Sequence, residues 1–123
     1  MELVIDTSEN QNISLELLQD GKSLIKKKFE AAFSQAEKLL PEIDSLLIDA
    51  NKTVNDLKEI KVANSGGSFT ALRIGIVTAN TLAYSLGIPV SSLDGESVRI
   101  EDIEMVKPEY SSEPNITIGK KKL

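Results

Sequence analysis

Asn64-Ser65-Gly66-Gly67-Ser68-Phe69-Thr70-Ala71-Leu72-Arg73-Ile74-Gly75 is the stretch whose reading decides the fold of this chain. An apolar run, Ile60, Val62 and Ala63, precedes it, and a long segment whose one charge is Arg73 follows to Leu86. The order is strand, tight glycine turn, helix, with Gly87 closing the helix as a C-cap. Backbone N–H groups at such a helix start face outward, and the glycines let an anion or a second backbone come close. A Walker-type loop needs Gly-Lys-Ser/Thr, but Ser68 and Phe69 stand where the lysine would be. A dinucleotide fingerprint lacks its third glycine and its acidic strand end. Close packing is the plainer role of the pair, and an anion site is the alternative.

Upstream, Leu3-Val4-Ile5 is a short apolar run that empties into Asp6-Thr7-Ser8, the pattern of a buried central strand. Ile13, Leu15 and Leu17 alternate with Ser14 and Glu16 as a second strand, and Asp20-Gly21 is a type I′ hairpin signal. Leu24 to Phe29 is the third strand, with its lysines expected to face water. From Ser34 to Ala50 the period becomes helical, through Ala36, Leu39, Leu40, Ile43, Leu46 and Leu47. Ser34 and Glu37 have the spacing of a capping box. Pro41 inside this pattern is expected to kink or restart the helix. Ile60 to Ala63 is the fourth strand, Phe69 to Leu86 the second helix and Ile88 to Ser91 the fifth strand. Beyond Leu93, Val98 to Ile103 reads as extended and Met105 to Tyr110 as a further edge strand.

The order β, β, β, α, β, α, β opens antiparallel and continues parallel, because helices join the later strands. This predicts an α/β fold: a single actin-like, ribonuclease H-like lobe with a five-stranded mixed sheet and two long helices.

Composition narrows the chemistry. The 123 residues suffice for one core, and a formal net charge of -5 opposes gripping nucleic acid unaided. Lys26 to Lys28 and Lys120 to Lys122 are short runs of the kind that solvated surface carries. With no Cys and no His, thiolate nucleophiles, Ser-His triads and His-based metal sites are excluded. No apolar run approaches the roughly 18 residues of a membrane span, and a cytoplasmic location is expected.

Three blocks, Leu3-Val4-Ile5-Asp6-Thr7-Ser8, Ser34 to Ile43 and Gly66 to Gly75, resemble in order and spacing the TsaB (YeaZ) family. Leu86-Gly87-Ile88-Pro89-Val90 and Pro108-Glu109-Tyr110 with Pro114 are similar to its later segments. Two local departures stand out: Phe33 or Ser34 replaces a family histidine, and Ser65-Gly66-Gly67 replaces Gly-Pro-Gly. Family members carry a second actin-like lobe, whereas Val90 to Pro108 leaves room for a short connection. The expected organisation is one TsaB-like N-terminal-type domain over 1–123, with 94–123 a connection and tail in place of that lobe.

The resemblance implies a non-catalytic scaffold or dimerisation subunit, not itself an enzyme, of the complex that makes threonylcarbamoyladenosine in tRNA. It pairs with TsaD through the helices of the first lobe, with a TsaE-like ATPase as a further partner and tRNA met only through the complex. No cofactor is expected. A self-associating actin-like domain, homodimeric in isolation, and a nucleotide-binding module are the alternatives.

On helix Phe69–Leu86, Leu72, Ile76, Ala79, Ala83 and Leu86 can line the sheet. Ala71, Gly75, Thr78, Leu82 and Ser85 form a second face of small and apolar groups that either a partner or the first helix can cover. The candidate partner-binding residues are Ser34, Glu37, Lys38, Ala71, Arg73, Gly75, Thr78 and Leu82. The candidate nucleotide site is Asp6, Thr7, Gly66 and Gly67, with a turn-forming role for Asp6 the plainer one.

Overall fold

Strict alternation in the first two strands sets the sheet. In β1 (Glu2–Asp6) Leu3 and Ile5 are wholly buried while Glu2, Val4 and Asp6 are half-buried. In β2 (Asn12–Gln19) Ile13, Leu15 and Leu17 point the same way, and antiparallel pairing puts Leu3 opposite Leu17 and Ile5 opposite Leu15. The turn into β3 (Lys22–Glu30) has φ of 54° at Asp20 and 79° at Gly21, the two positive values a type I′ turn needs. The computed structural model describes residues 1–9, 11–31, 35–66, 69–93, 98–100 and 103–107.

Helix α1 (Gln35–Asp49) leads through a 3-10 turn at Val54–Asp56 to β4 (Glu59–Val62), which lies parallel to β1. Helix α2 (Phe69–Leu86) then leads to β5 (Val90–Ser92), parallel to β4. The sheet order β3-β2-β1-β4-β5 is the mixed five-stranded sheet expected. Left-handed residues end both helices. After α1, Asn51 has φ 61° and Lys52 N–H donates to Leu47 O at 2.8 Å. After α2, Gly87 has φ 69° and Ile88 N–H donates to Ala83 O at 3.0 Å.

Both helices pack on the apolar face of the sheet and against each other, α1 over β2 and β3, α2 over β1, β4 and β5. Leu39, Ile43, Leu46 and Leu47 of α1 and Leu72, Ile76, Ala79 and Ala83 of α2 are buried there, each large side chain contributing roughly 1.5–3 kcal/mol. The other face of the sheet carries Glu2, Glu16, Lys26, Lys28 and Lys61, with Lys61 Nζ 3.6 Å from Glu2.

One expectation is narrowed and two are corrected. α1 runs through Pro41 as one helix and does not restart; Pro41 sits on its exposed side. Lys27 does not simply face water: its ammonium lies 2.7 Å from Glu42 and ties the edge strand to α1. Finally, β6 (Val98–Ile100) and β7 (Ile103–Met105) form their own antiparallel pair and add no edge to the main sheet. The part of the expected edge strand at 108–110 is outside the described residues.

Candidate functional site

The first place the fold assembles is the crevice at the carboxyl ends of β1 and β4. These strands are parallel neighbours, and their chains leave in opposite directions, β1 toward β2 and β4 toward β5, which is a topological switch point. Asp6 Oδ1 accepts from Ser8 N–H at 2.8 Å and from the Ser8 hydroxyl. That carboxylate closes an Asx turn, the plainer role read from the sequence. Gly66 is exposed, with φ 91°, and a Cβ there would lie 3.7 Å from Ser8 Cβ. Gly66 therefore stands beside Ser8, the residue that closes the turn with Asp6, and Gly67 lies outside the described residues. Among the described residues no three His, Cys, Asp or Glu side chains group as metal ligands do.

Thr7 turns away from the crevice. It is wholly buried, its hydroxyl has no hydrogen-bond partner, and both γ atoms abut the backbone of Gly75. A Cβ at Gly75 would meet Cγ2 at 3.0 Å and Oγ1 closer still. The glycine exists for the approach of α2 to the end of β1.

This corrects part of the expected partner face. Ala71 and Gly75 are buried within the chain and offer a partner no surface. Leu82 is half-buried against the core, as is Ile74. Thr78 is half-buried, and Glu37, Lys38 and Arg73 are exposed. Ser34 lies outside the described residues.

What α2 presents instead is a ridge of Arg73, Val77, Thr81 and Tyr84, with Val77 59% and Tyr84 67% exposed. Between α1 and α2 runs a groove of about 260 Å³ lined by Ala36, Arg73, Ile74, Val77 and Thr78. Leu40, one turn after Ala36 on the same side of α1, is 55% exposed. Lys38 is rotated about 200° from Ala36 on an ideal helix and so lies away from this groove. Ile74, Val77, Tyr84 and Leu40 were missed from sequence, although the four-residue step from Arg73 to Val77 to Thr81 marks the ridge. No charged side chain on α2 other than Arg73 breaks it.

Comparison with known proteins agrees with this architecture. Residues 29–117 match the family described as TsaD, tRNA N6-adenosine threonylcarbamoyltransferase. The chain is 36% identical over 91 residues to the tRNA threonylcarbamoyladenosine biosynthesis protein TsaB of Bacillus subtilis, covering 74% of this chain and 39% of that protein. It is 33% identical over 108 residues to a tRNA N6-adenosine threonylcarbamoyltransferase of Brachyspira hyodysenteriae, covering 75% of this chain and 32% of that one. Among solved structures, YeaZ from Pseudomonas aeruginosa superposes with a TM-score of 0.69 at 29% identity, over 75% of this chain and 42% of that chain. The chain thus spans about two fifths or less of the length of these relatives. The glycine turn, the switch-point sheet and the paired helices are those of an actin-like lobe, and the chain belongs to the TsaD family, where it resembles the TsaB (YeaZ) members.

Proposed function

We propose that this protein takes part in making threonylcarbamoyladenosine in tRNA as a non-catalytic docking subunit that pairs with a TsaD-type transferase. The observation that carries the reading is the α1–α2 face. An 18-residue helix with one charge leaves Val77 and Tyr84 in solvent beside an apolar groove. A monomer's surface helix ordinarily turns a charged face outward, so this ridge fits a partner's apolar surface, with Arg73 at its rim for a partner carboxylate. Thr78 lines the same groove, and the exposed Glu37 follows its Ala36 in α1. A TsaE-like ATPase would join such a pair, and tRNA would be met through the more basic members of the complex.

Co-purification of the chain with the TsaD-type transferase of the same organism tests the reading. A stable complex that Val77→Glu disrupts is expected, and a chain that ignores the transferase at micromolar concentration would sink it. Light scattering of the isolated chain over a concentration series separates this from self-pairing through the same ridge.

A second reading rests on the switch point, where Gly66 lies against Ser8 of the turn that Asp6 closes. Calorimetry with ATP and Mg²⁺ tests it: tight binding by the isolated chain would favour a nucleotide-binding module over a pure docking subunit.

A further inference from the structure

Asn80 lies in the middle of α2, where an asparagine is a poor helix former because its amide competes with the backbone. Here the amide is fully used by another segment. Asn80 Nδ2 donates to Val106 O at 2.9 Å, and Val106 N–H donates to Asn80 Oδ1 at 2.8 Å. A carboxamide presents one acceptor and one donor side by side, as a peptide group does. Asn80 therefore pairs with both main-chain groups of residue 106 as a residue on a neighbouring strand would. The Val106 side chain is 2% exposed and belongs to the core cluster, while Lys107 O accepts from Asn64 Nδ2 at 3.2 Å. β7 touches α2 and β5, and among the described strands its ladder partner is β6.

The segment is thus held as a ligand is held. Three side-chain amide bonds read its main chain, and one aliphatic side chain fills a pocket. We propose that the flank of α2 bearing Asn80, with Asn64 at the end of β4, is a peptide-capture slot occupied in this structure by the chain's own Ile103–Lys107. Its ligand class is an extended peptide with a β-branched aliphatic residue in the Val106 place. The three bonds contact no side chain of that peptide, so specificity rests on the pocket and on freedom of the peptide backbone from proline at position 106.

The slot is distinct from the α1–α2 ridge, and its test is independent of the transferase. In the full chain, Val106→Arg removes the pocket-filling group and evicts the segment; a synthetic peptide of sequence Ile-Glu-Met-Val-Lys is then titrated and followed at the Asn64 side-chain amide by NMR, a reporter that every variant keeps. Saturable binding is expected for Val106→Arg and none for the parent, whose own segment competes at an effective concentration in the millimolar range. Adding Asn80→Ala should weaken binding roughly tenfold or more, since two hydrogen bonds are lost. A folded Val106→Arg chain that binds no peptide, or binding indifferent to Asn80→Ala, overturns the proposal. So does a Val106→Arg chain that fails to fold, because the segment is then core and not an occupant. Hydrogen exchange on the parent gives a second measure. The Val106 amide should exchange by local opening at least tenfold faster than that of Ile5, and equal rates overturn the proposal.

Discussion

Replacing Gly75 with alanine adds one methyl group, and the structure says where it goes. It would stand 3.0 Å from Thr7 Cγ2 and 3.3 Å from Thr7 Cβ, with Oγ1 nearer than either. Two of the three staggered positions at Thr7 Cβ face the glycine, so rotating χ1 leaves at least one heavy atom in the way. Overpacking of this kind costs about 1–3 kcal/mol. The gain in helix propensity from glycine to alanine returns about 1 kcal/mol, so Gly75→Ala alone should destabilise by up to about 2 kcal/mol. Thr7→Ala removes both γ atoms. It forfeits about one methyl group of burial, roughly 1 kcal/mol, and relieves a buried hydroxyl without a partner, worth about 1–3 kcal/mol, so alone it should be near neutral or stabilising. In the Thr7→Ala background Gly75→Ala should then be neutral or stabilising by about 1 kcal/mol. Urea unfolding of the four proteins, followed by far-UV circular dichroism with m-values compared, measures the cycle. The same cost for Gly75→Ala in both backgrounds, within about 0.5 kcal/mol, would refute the claim that Thr7 is what demands glycine.

Other expectations concern single positions. Val77→Glu should change stability by less than about 0.5 kcal/mol, because the side chain stands in solvent, yet abolish capture of the transferase in a pull-down. Asn51→Val should cost about 1–2 kcal/mol in thermal unfolding, since the αL backbone that ends α1 disfavours a β-branched residue, whereas Asn51→Gly should be close to neutral. The hydrogen bond to Glu42 raises the Lys27 pKa above its ordinary value, so the pair's contribution is full below the unfolded-state lysine pKa and is lost as pH rises through the folded one. Parent and Lys27→Met should therefore differ in urea midpoint at about pH 8, and the difference should begin to shrink only as pH rises past the ordinary lysine pKa of about 10.4. Leu46→Ala, wholly buried under α1, should cost about 2–5 kcal/mol by the same assay.

The elements with strong periodicity are legible in the sequence. The α2 boundaries, the Asp20-Gly21 turn and the parallel tail of the sheet follow from 3.6-residue and two-residue repeats and from turn chemistry that acts over a few residues. The site was only partly legible. Ala71 and Gly75 carry the small-residue pattern that suits any close backbone contact, and nothing local distinguishes a partner helix from the end of β1. Only the fold brings Thr7, sixty-odd residues upstream, against that face. Asn80 is illegible for a similar reason: its partner is Val106, and an asparagine facing a distant backbone looks in sequence like one facing water. The β6–β7 pair escaped because three-residue strands carry too few alternations to fix a partner.

The outer strand of the sheet has a consequence for how the lobe behaves among many copies of itself. β3 is nine residues long and among the described residues no strand pairs with its outer side, a geometry that invites intermolecular strand addition. Lys22, Lys26, Lys27 and Lys28 line it, and the pairing slips by one residue between Leu17 and Leu18. A second β3 laid alongside would bring lysine against lysine across a bent edge. Neutralising Lys26 and Lys28 together should therefore turn a well-behaved chain into one that forms thioflavin-positive fibrils, with the fold of the lobe itself untouched.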